Sequence, residues 1–174
     1  MIWYRGSSGS HLEFKTDGNG NRQHGPGLYF TNNPETAKIY GAVQSFDIDG
    51  KLLTEDVSVS KHIISKMLNL VPKDVLEIAL QNWDEDPTKA KNMLLDSLMN
   101  QENMIEALQS FWVDGCNGDS KIYKTICKKV GIDGIIIEKL AEKWLVVYNT
   151  DIINPIKSAL LNRAILFKAS TNIF

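Results

Sequence analysis

The chain has 174 residues, 43% of them hydrophobic, which is enough apolar surface for one domain of ordinary size to build a real core. A formal charge of -2 argues against broad electrostatic attraction to nucleic acid, and no apolar run approaches the length of about 18 residues that a membrane-spanning helix needs. Two cysteines, Cys116 and Cys127, are too few for a disulfide framework and lack zinc-ligand spacing, so they read as reduced, partly buried thiols of a cytoplasmic protein.

In chain order, Ile2, Trp3 and Tyr4 open a strand that ends at Arg5 and Gly6, and Ser7 to Ser10 read as loop. The start MIWYRGSSGS has no charged region followed by a long apolar run, so no signal peptide is expected. Residues 15 to 23, KTDGNGNRQ, are too rich in Gly and Asn to pack a core, and His11 and His24 sit in such loops. The stretch from His24 to Gly41 carries the densest local signals. Gly25, Pro26 and Gly27 form a turn, and Leu28 to Thr31 a short strand. A helix follows: Asn33 is a good N-cap, Pro34 fits the first helical position, Glu35 suits the first turn and Gly41 can close the end. By spacing alone, Tyr29 and Tyr40 are ordinary core or rim aromatics; a strand and helix joined this tightly could also set the two rings on either side of a flat ligand.

Val43 to Ile48 is a further strand, Asp49-Gly50 a tight turn, and Lys51 to Thr54 its continuation or partner. From about Val57 to Val130 the pattern becomes helical. Ser58 or Ser60 caps a segment with Ile63, Ile64, Met67 and Leu68 on one face, and Pro72 starts another carrying Val75, Leu76, Ala79, Leu80 and Trp83. Asp86-Pro87 starts a third with Ala90, Met93, Leu94 and Leu98, and a fourth carries Ile105, Leu108, Phe111 and Trp112. His62 lies within this insertion, whose Trp and Met residues read as core filling. Asp114 to Asp119 lacks the full spacing of a calcium loop and reads as a turn, followed by a helix from Ser120 to Val130 that stops at Gly131. Ile132 to Ile137 and Trp144 to Tyr148 are strands separated by EKLAEK, and Ile165 to Lys168 reads as an edge strand. Strands, then helices, then strands make a single α+β domain over 1 to 174 with a helical insertion.

Three separated blocks resemble the ADP-ribosyltransferase family. Tyr4-Arg5-Gly6-Ser7-Ser8 is similar to the Arg-containing opening motif of the toxin-like branch, within a block from Ile2 to Ser8. The Gly-x-Gly-Leu-Tyr-Phe strand leading to a second tyrosine, with Tyr29 and Tyr40 eleven residues apart, resembles the central motif of the poly(ADP-ribose) polymerase-like branch, where two rings sandwich nicotinamide. The block from Gly131 to Lys157 resembles the closing strands, with one departure: Trp144 stands where the family carries its catalytic Glu. Glu142, two residues earlier and so on the same face of a strand, and Glu138 at the end of the preceding strand are the replacement candidates; both also fit a solvated charged connection beside Lys139 and Lys143.

The resemblance implies a fold of two small packed sheets with a helical insertion, NAD as co-substrate, and transfer of single ADP-ribose units to a macromolecular acceptor. It assigns Arg5 to anchoring NAD, Tyr29 and Tyr40 to the nicotinamide, and Glu142 to the sugar cation or the acceptor. Tyr4, Gly6, Ser7, Gly27 and Phe30 line the NAD site, with the backbone of Gly6 meeting the carboxamide. For Arg5 the alternative is a surface ion pair. Phage and bacterial proteins of this kind act as toxins, effectors or inhibitors of host defence, and the insertion is a place for a protein partner. The rival expectation is a binding protein that keeps NAD or ADP-ribose but has lost its acid to Trp144.

Overall fold

A computed structural model describes residues 1 to 7 and 25 to 156. The expectations for Ser8 to Ser10, His11, the loop 15 to 23, His24, Lys157 and Ile165 to Lys168 lie outside these residues. Seven strands and six α-helices give the expected α+β class: β1 (Ile2–Ser7), β2 (Leu28–Thr31), α1 (Pro34–Lys38), β3 (Ala42–Ile48), β4 (Leu52–Leu53), α2 (Lys61–Leu70), α3 (Lys73–Leu80), α4 (Pro87–Met99), α5 (Met104–Ser110), α6 (Ser120–Val130), β5 (Gly134–Lys139), β6 (Glu142–Val147) and β7 (Ile153–Pro155).

The described strands form one hydrogen-bonded sheet in the order β4-β5-β6-β2-β1-β3-β7, where the sequence led to an expectation of two small sheets. The reason is β2, which pairs with β6 along its whole length and with β1 through Tyr4 and Thr31, and so joins the two halves. A second difference concerns Leu52 and Leu53. They follow the Asp49-Gly50 turn yet do not fold back on β3; they lie parallel to Gly134 and Ile135 at the far edge.

Local capping chemistry sets the helices. Asn33 Oδ1 accepts from Glu35 N at 3.0 Å, Ser60, not Ser58, caps α2, and Asp86 Oδ1 accepts from Thr88 N and Lys89 N at 2.8 and 2.9 Å. Two caps lay unread in the sequence, Asn103 on α5 and Asp119 on α6. The polar loop before α6 is thus spent on structure. A π-helical turn spans Phe111–Gly115, Asn117 and Gly118 follow with positive φ, and Asp119 caps. Gly131, at φ 80, ends α6 in the left-handed conformation expected of it.

The sheet separates two cores. Ile135, Ile137, Val146 and Tyr148 face the helical insertion, where they meet Met67, Leu98, Leu108, Phe111 and Tyr123. Trp3, Leu28, Phe30, Phe46, Leu145 and Val147 pack on the other side. Alternation along β6 sends Val146 one way and its two neighbours the other. Trp83 and Trp112 pack half-buried on the helical core, and both cysteines are buried thiols outside any disulfide. No helix among the described residues is long and apolar enough to cross a membrane.

EKLAEK proves to be mostly strand. β5 and β6 run through it as a hairpin whose ends pair Lys139 with Glu142, leaving only Leu140 and Ala141 to turn the chain. Both have positive φ, 51° and 67°, as a type I′ turn requires, and neither is a residue that favours it. Each left-handed non-glycine residue costs roughly 1 kcal/mol. Leu140→Asn with Ala141→Gly is therefore expected to stabilise the protein by about 1 kcal/mol, read as a higher urea midpoint at constant m-value. Loss of stability in the double variant would refute the turn assignment.

Candidate functional site

Paired strand residues share a face, so the register of β1, β2 and β6 sorts the chemistry. Tyr4 pairs with Thr31, Thr31 with Trp144, and Tyr29 with Val146, which puts Tyr4, Gly6, Tyr29, Thr31, Glu142 and Trp144 on one face. The short helix α1 lies across that face. Its closeness is measured at Gly6, where a Cβ would stand 1.9 Å from the Ala37 carbonyl oxygen and 3.1 Å from the Tyr40 carbonyl carbon.

At the other end of α1, the half-buried carboxylate of Glu142 is fixed by two donors. Asn33 Nδ2 donates to Glu142 Oε1 at 2.6 Å, and Thr36 Oγ1 donates to the same oxygen at 2.7 Å. The start of β6 is itself clamped to the end of β2, since Asn32 N donates to Lys143 O at 3.0 Å and Lys143 N to Asn32 Oδ1 at 2.9 Å. Glu142 is thereby a braced acid and not a solvated turn residue. Glu138 is not its equivalent. It pairs with Lys143 in the strand register and through its carboxylate, and so faces the opposite side of the sheet.

Tyr29 stands half-buried against the helical core with its hydroxyl donating to Gly25 O at 2.7 Å. Tyr40 follows α1 and is 59% exposed, beside Gly6. Tyr29, Tyr4, Gly6 and Glu142 thus share the face that α1 lies on, and Tyr40 follows α1 with its backbone against Gly6. Gly27 belongs to the same stretch, and its lack of a side chain lets β2 press on β6: a Cβ there would stand 2.6 Å from Val146 Cγ1 and 2.8 Å from Val147 O.

Other expected site residues are not brought in. Phe30 is 1% exposed, edge-on to Phe46 at 5.3 Å in the second core, so its side chain is core filling; alternation on β2 turns it away from Tyr29. Arg5 lies on the same side of β1 as Trp3, opposite Tyr4 and Glu142, and burial lowers its guanidinium pKa. It makes no ion pair among the described residues, so the surface ion pair expected of it is not formed there, and the strand register does not bring it together with Tyr4 and Glu142. Ser7, at the end of β1 opposite Ala42, is on the Arg5 side by the same alternation. Trp144 shares the face of Glu142 and is half-buried against the helical core. His62 lies exposed in the first turn of α2, far in sequence from these strands. Sequence reasoning missed Thr36 and the second use of Asn33; the signal available was that both lie in the first turn after a strand paired with Glu142's own.

No protein-family model matches the chain, and no curated protein matches it. A solved structure described as the crystal structure of an anti-CRISPR protein is similar over 90% of this chain and 95% of its own, with 14% identity and a TM-score of 0.40. A likeness that low carries no argument about function.

Proposed function

We propose that the chain binds NAD over the α1 face and transfers ADP-ribose to a macromolecular acceptor, with Glu142 as the working acid. The observation that carries this reading is the braced Glu142 carboxylate on the same sheet face as Tyr4 and Tyr29, with Tyr40 following the helix that braces it. Breaking the bond between the nicotinamide nitrogen and ribose C1′ sends the bonding pair to nicotinamide and leaves positive charge on the sugar. A fixed carboxylate stabilises that charge as it develops. The acceptor's nucleophile then bonds to C1′ and gives up its proton, for which Glu142 is the nearest base of this set. The aromatic walls fall to Tyr29 and Tyr40, and the anchoring role falls to Tyr4 in place of Arg5, since α1 covers the β1 backbone at Gly6.

In a lysate supplied with NAD labelled on its adenylate portion, the wild type is expected to attach label to a macromolecule. Glu142→Gln should lower that rate about 100-fold, and Tyr29→Ala should weaken NAD binding. One observation favours a second reading, a protein that binds NAD or ADP-ribose without turnover: Trp144, at the position the resemblance gives to the acid, lies on this face. Bound NAD with neither labelled acceptor nor released nicotinamide would decide for it.

A further inference from the structure

Asn33 has all its polar groups engaged. Its backbone N donates to Thr31 Oγ1 at 3.1 Å, Oδ1 accepts from Glu35 N at 3.0 Å, and Nδ2 donates to Glu142 Oε1 at 2.6 Å. Capping a helix requires only the acceptor, and Ser, Thr or Asp supply that as well as Asn. The amide donor is surplus to the cap and is spent on the acid. Thr36, one turn on, adds its hydroxyl to the same oxygen at 2.7 Å. Two donors converge on Oε1, while Oε2 accepts no hydrogen bond from the described residues. The carboxylate therefore cannot turn without giving up both bonds.

We infer that Asn33 and Thr36 are positioning residues: they lock Glu142 through Oε1 so that Oε2 is presented to the sugar, and α1 is the bracket that carries both. This rests on the reading of Glu142 as the working acid. Their contribution belongs to turnover more than to NAD binding, because they touch the acid and not the ligand.

Asn33→Ser separates this role from a structural one. It keeps an acceptor for the α1 cap but removes the amide donor to Glu142 and adds no charge. With NAD and nicotinamide release as the assay, Asn33→Ser and Thr36→Val are each expected to lower kcat at least about 10-fold with KM for NAD within about twofold and the melting temperature nearly unchanged. Thr36→Ser, which retains the hydroxyl, should recover most of the turnover lost in Thr36→Val. Equal kcat in wild type and both variants, with Glu142→Gln inactive, would overturn the positioning role and leave the transferase reading standing. A parallel fall in melting temperature and activity, with no recovery in Thr36→Ser, would make the two residues structural only. A wild type that releases no nicotinamide would overturn the transferase reading, and this inference with it.

Discussion

Gly6→Ala is expected to destabilise the protein by about 3 kcal/mol and to displace α1 from the sheet. The backbone at Gly6 is an ordinary strand, paired with Val43, so the cost is not one of φ. It comes from space: the added methyl carbon would lie 1.9 Å from the Ala37 carbonyl oxygen and 3.0 Å from its carbonyl carbon. Those are backbone atoms of a helix whose N-terminus is tied to Glu142 and whose far end turns directly into β3, so nothing flexible can swing aside. Over-packing costs roughly 1 to 3 kcal/mol where side chains can adjust, and the upper end applies where they cannot. Urea unfolding of the wild type and the variant measures the difference, and a change under about 0.5 kcal/mol would show that α1 does not bear on β1 as described. Because the same helix braces Glu142, the variant should lose activity even where it remains folded.

Gly6 also shows what a sequence tells and what it withholds. A glycine after Tyr-Arg reads as room for a ligand, whereas the room is taken by a helix. Features set within a few residues were legible: the Asn33-Pro34 and Asp86-Pro87 helix starts, the Gly131 stop, and the helical stripe from Ile63 to Leu68. Features set by distant partners were not. Leu52 and Leu53 carry no mark of pairing with Gly134 and Ile135. Alternation could have shown that Arg5 and Tyr4 face opposite ways, but only the pairing of Tyr4 with Thr31, and Thr31 with Trp144, says which of them shares a side with Glu142. The hairpin at Leu140-Ala141 escaped notice because its residues are wrong for the turn they make. At the candidate site, Glu142 was found by counting two back from Trp144. Its two donors could not be, since they belong to a helix whose resting place on the sheet is a matter of packing.

Stability should fall steeply above pH 9. Burial, with the nearby Asp119 charge, pushes the Cys116 thiol from 9.0 to about 12. Burial likewise raises the Cys127 thiol and the Tyr123 and Tyr148 hydroxyls, which pack together under the sheet, the two rings edge-to-face at 5.2 Å. All four groups stay protonated in the native state at pH values where the unfolded chain has released its protons. Raised native pKa values mean that the stabilisation is present in full below the unfolded values, 9.0 for the thiols and 10.0 for the tyrosines, and is lost as pH climbs towards the native ones. The four groups act in the same direction, so their losses reinforce one another as the pH rises. Urea midpoints at pH 7, 9, 10 and 11 should be level and then drop, and Cys127→Ala with Tyr148→Phe should flatten the fall at some cost at neutral pH. A midpoint unchanged to pH 11 would refute the dry packing of these groups. Alkylation of either thiol should likewise wait on unfolding.

The parallel contact of Leu52 and Leu53 with Gly134 and Ile135 means that the chain leaves the sheet for its helical excursion and returns to the same spot. Topologically the excursion is a closed loop, and the closure entropy of such a loop grows only slowly with its length, by about 0.6 kcal/mol for each doubling. The sheet could therefore tolerate a longer or shorter excursion at little entropic cost. It could not tolerate none, because the helices cover Ile135, Ile137, Val146 and Tyr148. With the two ends of the loop side by side, β6 reaches β2 across more than a hundred residues of chain through a much shorter effective path.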